Sequence, residues 1–274
     1  MNDTSSRCRT ARAWGYVAAA GALAYAACAA PKPKPPPATK KLPLPGEAFL
    51  LQGHEAFVLM PANARVPIPW VLYAPTLPGL PSDAEVWLFE RLLADGIAIA
   101  GIDVGESYGN PAGCALYDVL YDHLVGERGM APRAVLLARS RGGLMTLAWA
   151  ADRPERVAAF AGIYPVCDLR SYPGLAKAAP AFGTTAEGLA AMLPRVNPIE
   201  RLERVAAARI PFCCVHGDRD KTVPLADNSG VLAERVRAMG GDVELHVLPG
   251  RGHDMDLGFF RSEELLAFVR RHAR

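Results

Sequence analysis

Short runs of Val, Ile, Leu and Ala alternate along the chain with segments of helical periodicity, and that rhythm limits the fold more than any other feature. The runs read as strands at Ala56–Met60, Trp70–Ala74, Ile97–Asp103, Ala134–Ala138, Val157–Ile163, Phe212–His216 and Val243–Leu248, each bounded by Gly, Pro or Asp. A strand buried on both faces is apolar throughout, so the pattern predicts an α/β class: a mostly parallel central sheet flanked by helices. Between the runs, Ser82 and Glu85 form a capping box ahead of Val86, Phe89 and Leu93, and Gly96 closes that helix. Asn197 followed by Pro198 starts another. No repeat period appears, which excludes a solenoid or propeller over this stretch.

With 274 residues, 51% hydrophobic and 21% charged, the chain can bury one large core. One catalytic domain is expected, in two parts over residues 47–166 and 209–274. Residues 167–208 break the rhythm with two helical pieces, Thr184–Leu193, opened by Thr184 and Glu187, and Asn197–Ala208. A crossover between parallel strands needs one helix, so the surplus reads as a small helical cap insertion over the ligand-binding edge of the sheet. A surface decoration is the alternative. The formal charge of +2, with no basic run beside an aromatic-rich strand, argues against nucleic acid and for a small substrate.

Residues 1–30 carry the order of a secretory signal. Arg7, Arg9 and Arg12 precede an apolar stretch from Trp14 to Ala27, and small residues follow. The apolar stretch is short for a retained membrane helix. Cys28, after Tyr25, Ala26 and Ala27, resembles the lipidated cysteine of bacterial lipoproteins, although the usual leucine three places earlier is absent. The expectation is an exported chain in the periplasm or cell envelope, with a membrane tether through Cys28 as one route. Residues 31–46, rich in proline, read as an extended linker. Beyond it, Cys114, Cys167, Cys213 and Cys214 are too few and scattered for a disulfide framework or a metal knuckle. They read as buried thiols, with a Cys114–Cys167 bridge open. No metal or cofactor is implied.

The segment AVLLARSRGGLM runs from a buried strand through Arg139, Ser140 and Arg141 into Gly142, Gly143 and a helix. This is the context of a nucleophile elbow, G-x-S-x-G, with Ala138 in place of the first glycine. A serine hydroxyl needs a base and an orienting acid. After the strand Phe212–His216 comes HGDRDKTVP, and after Val243–Leu248 comes PGRGH. The order Ser, Asp, His is the one such an elbow uses. Together these motifs resemble the α/β-hydrolase superfamily near its prolyl oligopeptidase and dienelactone-hydrolase-like branches, over roughly residues 50–272. The resemblance implies Ser140 as nucleophile, His253 as base and Asp220 as acid, with Asp218 the runner-up. His216 is expected to steady the loop carrying Asp220; His54, His123, His246 and His272 are bystanders.

In such a site the backbone N–H of Arg141 gives one oxyanion donor, and the loop after Trp70–Ala74 the other, from Thr76 or Leu77 because Pro75 has no N–H. Arg139 and Arg141 flank the nucleophile, and Glu106 and Tyr108 follow the Ile97–Asp103 strand at the same sheet edge, making Arg139, Glu106 and Tyr108 candidate substrate-binding residues. Arg141 either assists the oxyanion, as in glucuronoyl esterases that it resembles, binds a substrate carboxylate, or is locked in an ion pair with Glu106 or Asp103. Asp103 itself reads as a turn residue. The leading expectation is hydrolysis of small carboxylic esters, carbohydrate-linked ones included. The alternatives are a peptidase of the prolyl oligopeptidase kind, for whose propeller this sequence has no room, and a binding protein with a vestigial triad.

Overall fold

The computed structural model describes residues 38–274; the segment read as a secretory signal, Cys28 and most of the expected linker lie outside the described residues. Eight strands make one sheet in the order β1-β2-β4-β3-β5-β6-β7-β8. They are β1 (Glu47–Leu51), β2 (His54–Leu59), β3 (Trp70–Ala74), β4 (Ala98–Ile102), β5 (Ala134–Arg139), β6 (Val157–Ile163), β7 (Phe212–Gly217) and β8 (Val243–Leu248). β1 pairs antiparallel with β2, and β2 with β4. All other pairings are parallel. Central strands β3 and β4 are buried at every residue, which is why their sequences are apolar without alternation.

Helices cover both faces. α1 (Val86–Ala94) and α9 (Glu263–His272) bury Leu88, Phe89, Leu92, Leu265, Phe268 and Val269 on one face. On the other, α2 (Pro111–Glu127), α3 (Gly142–Asp152) and α7 (Ser229–Ala238) bury Tyr117, Leu120, Met145, Trp149, Leu232 and Val236. The Ser82–Glu85 capping box is present, and Gly96 takes a positive φ of 82° just beyond α1.

Between β6 and β7 lies the insertion, with α4 (Leu175–Ala178), α5 (Ala186–Val196) and α6 (Leu202–Ala207). Its residues Leu169, Ala178, Ala179, Leu189 and Leu193 form a third apolar cluster with Tyr108, Leu144 and Val223. Two buried asparagines fix its base. Asn228 Oδ1 accepts from the Cys167 N–H at 2.8 Å and from Ser171 Oγ at 2.9 Å, while Asn197 Nδ2 donates to Asp168 Oδ1 at 2.9 Å. Such buried amide networks hold only when each polar group has a partner.

The structure adds to these expectations and revises some of them. β1 has no counterpart among the apolar runs, because Glu47–Leu51 is a partly exposed edge segment. The described end of the linker is docked: Thr39 donates to Glu55 Oε1, Lys40 Nζ donates to the Leu77 carbonyl, and Leu42 and Leu44 pack on the core. α5 is capped by Thr185, whose hydroxyl accepts from the Gly188 N–H, rather than by Thr184; Asn197 serves the amide network instead of capping. Cys114 and Cys167 are free, buried thiols without a bridge. Burial pushes the Cys114 thiol up to about 12.

Candidate active site

Strand β5 ends at Arg139, and Ser140 turns the chain into α3 with a positive φ of 52°. A non-glycine residue in this left-handed region costs about 1–2 kcal/mol, so tertiary contacts must impose it. The Ser140 N–H donates to the Ile163 carbonyl at 3.0 Å, and its carbonyl accepts from Gly143 at 2.9 Å and Val166 at 2.8 Å. Gly142 has no alternative: a Cβ there would lie 2.1 Å from the Ala74 carbonyl oxygen. Close packing of the elbow against β3 therefore requires glycine at 142 and accepts alanine at 138.

Ser140 Oγ lies 2.9 Å from His253 Nε2, and His253 Nδ1 lies 2.7 Å from Asp220 Oδ2. A carboxylate only accepts, so Nδ1 carries the ring proton and Nε2 is free to accept the serine proton. Asp220 Oδ1 takes two N–H bonds, from Thr222 at 2.9 Å and Val223 at 2.8 Å. Burial alone would raise the Asp220 carboxyl. The hydrogen bonds from His216, Val223 and His253 overcome that and bring it down to about 2. His216 is fully buried between Ser229 Oγ and the Val223 carbonyl, each at 2.8 Å, so it steadies the acid loop as expected. Asp218 is exposed and accepts from the Gly250 N–H at 2.6 Å, away from the histidine ring. Asp103 is the turn residue, accepting from the Gly105 N–H at 2.8 Å.

These groups open onto a cavity of about 250 Å³ lined by Pro75, Leu80, Arg139, Ser140, Arg141, Tyr164, Tyr172, Thr222, His253, Asp254 and Met255. Arg139 and Arg141 are in it; Glu106 and Tyr108 are not. Glu106 borders a neighbouring cleft with His54 and Asn110, and Tyr108 is buried beneath the insertion at a φ of 48°. Thr76 and Leu77 are also outside the cavity. Thr76 is buried, its hydroxyl donating to the Tyr73 carbonyl at 3.0 Å, and Leu77 is buried beside it. Proline 75, which has no N–H, is the loop residue that lines the wall. What turns into the core there is the pair of side chains, whereas the expected oxyanion donors are backbone N–H groups.

Arg139 is held from behind. Its Nη1 donates to Glu85 Oε1 at 2.8 Å, and Glu85 also accepts from Tyr73 Oη at 2.9 Å and from the Ser82 N–H at 2.8 Å. The Glu85 side chain is 0% exposed, so the capping-box acid is also the counter-ion of the residue before the nucleophile. Tyr164, unmarked in the sequence beyond its position at the end of β6, sets its ring 4.3 Å from that of His253. Phe259 and Phe260 back it edge-on. Burial pushes its hydroxyl up to about 12, so the ring is neutral. Outside this site, Cys213, Glu244 and His246 bring three ligand-type atoms within 4.8 Å of one another. Arg271 already pairs with Glu244 there.

Residues 124–273, more than half of the chain, match the model of the prolyl oligopeptidase family. The chain belongs to that family. Its eight-stranded, mostly parallel sheet between two helical layers is the α/β-hydrolase fold. No curated protein matches it. Among solved structures, Porphyromonas gingivalis dipeptidyl peptidase 4 superposes with a TM-score of 0.67 at 15% identity, covering 83% of this chain and 35% of that one. Est1E from Butyrivibrio proteoclasticus matches at a TM-score of 0.57 and 17% identity, over 82% of this chain and 96% of that one. Mycobacterium tuberculosis MPT51 matches at 0.64 and 16%, over 84% and 100%. At these identities the likeness is one of fold. This family member spans 35–42% of the length of the peptidases it matches.

Proposed function

We propose that this chain hydrolyses small carboxylic esters, acylated carbohydrates among them, through a covalent acyl-enzyme on Ser140. The observation that carries the reading is the relay of hydroxyl, imidazole and carboxylate at 2.9 and 2.7 Å. His253 Nε2 takes the Ser140 proton as Oγ attacks the ester carbonyl, and Asp220 stabilises the imidazolium. The imidazolium then protonates the departing alkoxide, and a water deprotonated by His253 releases the acid and restores Ser140. The Arg141 N–H faces the developing oxyanion.

Esters are the less demanding substrates for this relay, because an alkoxide departs from the tetrahedral intermediate with less help from the general acid than an amine needs. Cleavage of peptides, the activity for which the family is named, is the second reading. The arginine-flanked apolar stretch at residues 7–27 supports an exported enzyme in the periplasm or envelope, tethered through Cys28 or released.

The test compares purified protein on 4-nitrophenyl acetate and butyrate, acetylated xylo-oligosaccharides and aminoacyl 4-nitroanilides, with fluorophosphonate labelling beside it. Expected are labelling and ester turnover in wild type, a fall of about three orders of magnitude or more in Ser140→Ala and His253→Ala with unchanged circular dichroism, and no anilide cleavage. Absence of labelling above the Ser140→Ala background refutes the catalytic reading. Anilide turnover matching ester turnover refutes the ester preference alone.

A further inference from the structure

The two arginines flanking the nucleophile line the same cavity but have opposite surroundings. Arg139 is neutralised: Glu85, itself fully buried, takes its Nη1 at 2.8 Å, and the thioether of Met255 lies 3.0 Å from Nη2. Arg141 makes no hydrogen bond among the described residues, and its Nε is buried from solvent without a partner. Glu106 Oε1 comes within 3.3 Å of that Nε, off the line of a hydrogen bond, and its own side chain is 45% exposed. A guanidinium presents five donors in a fixed fork and seldom leaves buried ones unused.

We infer that Arg141 is a receptor for a carboxylate carried by the substrate next to its scissile bond. The inference rests on the hydrolase reading above and names the substrate class of the same site. Arg141 follows the nucleophile directly and lines the cavity with it, so a bound anion lies close to the carbonyl under attack. A planar carboxylate matches the guanidinium fork with two parallel N–H···O bonds. Glu106 is the resting counter-ion, exposed enough to swing away when the substrate carboxylate arrives. Asp254 is the other acid in the cavity lining, and its carboxylate is already committed to the Gly252 and Asp256 N–H groups. One singly charged guanidinium, with Glu106 beside it and Asp254 in the same cavity lining, suits a carboxylate better than a doubly charged phosphate.

Two matched substrate pairs test this. 4-Nitrophenyl hemisuccinate against methyl 4-nitrophenyl succinate places the carboxylate on the acyl side; 4-acetoxybenzoate against 4-acetoxybenzamide places it on the leaving group. The readout is the ratio of kcat/KM for the charged to the neutral member. Wild type is expected to favour the charged member of one pair by about tenfold or more, in the range of a charge-assisted hydrogen bond, and less so as salt rises. Arg141→Gln should bring that ratio down by about tenfold, Arg141→Lys by less, and Glu106→Gln should raise it, because a competing carboxylate is removed. A structural role for Arg141 would move both members of a pair together. Ratios near one in wild type for both pairs, or equal ratios in wild type and Arg141→Gln, overturn the inference. If neutral esters are still turned over in that case, the hydrolase reading survives; if nothing labels or turns over, that reading fails first.

Discussion

Replacing Glu85 probes how a helix cap and the nucleophile elbow are joined. The side chain is 0% exposed and accepts from Arg139, Tyr73 and both the amide and hydroxyl of Ser82. Glu85→Ala removes all four bonds and leaves Arg139, 16% exposed, as a buried cation without its partner. Breaking one side of such a pair costs about 3–5 kcal/mol, most of it desolvation of the orphaned charge. For a domain of this size that corresponds to a fall in Tm of roughly 10 °C. Glu85→Gln keeps the volume, but its single acceptor oxygen can serve either the Ser82 cap or the Arg139 and Tyr73 donors, so it should lose less than the alanine, about 2–3 kcal/mol. Urea unfolding of wild type, Glu85→Ala, Arg139→Met and the double variant gives the coupling energy, expected at about 2–3 kcal/mol in favour of the pair. In the double variant neither charge is stranded, so it should be more stable than Glu85→Ala alone. A coupling below about 0.5 kcal/mol, within ordinary additivity, would refute the view that the elbow is anchored through this ion pair.

Gly142→Ala, by placing a Cβ 2.1 Å from the Ala74 carbonyl oxygen, should displace β3 from the elbow and abolish fluorophosphonate labelling while lowering stability by about 3 kcal/mol or more; normal labelling would show that the turn can relax. Asp220 is lowered by folding to about 2, so its charged form contributes stability above the ordinary carboxylate range, by about 2 kcal/mol at neutral pH, and the contribution is lost as pH falls from about 4 to about 2. The stability gap between wild type and Asp220→Asn should therefore close over that window; a gap unchanged down to pH 2.5 contradicts the assignment. Tyr164→Ala removes the ring 4.3 Å from His253 and should lower kcat by about tenfold or more, whereas Tyr164→Phe keeps most activity; equal losses in both would point to the hydroxyl instead.

Much of the scaffold is legible in the chain because local periodicity reports burial. β3 and β6 fall where their apolar runs begin and end, since a strand covered on both faces needs side chains of one character throughout. Three side chains at positions 140, 220 and 253 converge because each follows a parallel strand, and parallel strands deliver their carboxyl ends to one edge. Strand β1 escaped for the converse reason, as an edge strand with one side open carries a weak pattern.

Partner choice between distant residues was decided only in three dimensions. The sequence marks Glu85 as a cap, a role fixed within three residues, but its pairing with Arg139 spans 54 positions and depends on how the turn before α1 meets the end of β5. The same holds for the two arginines: composition gives them equal charge, and only packing gives one a buried carboxylate and leaves the other with a loose, exposed one. Packing likewise decided that the side chains of Thr76 and Leu77 turn into the core. Periodicity encodes which face of an element is buried; the identity of what lies across that face is a property of the assembled layers.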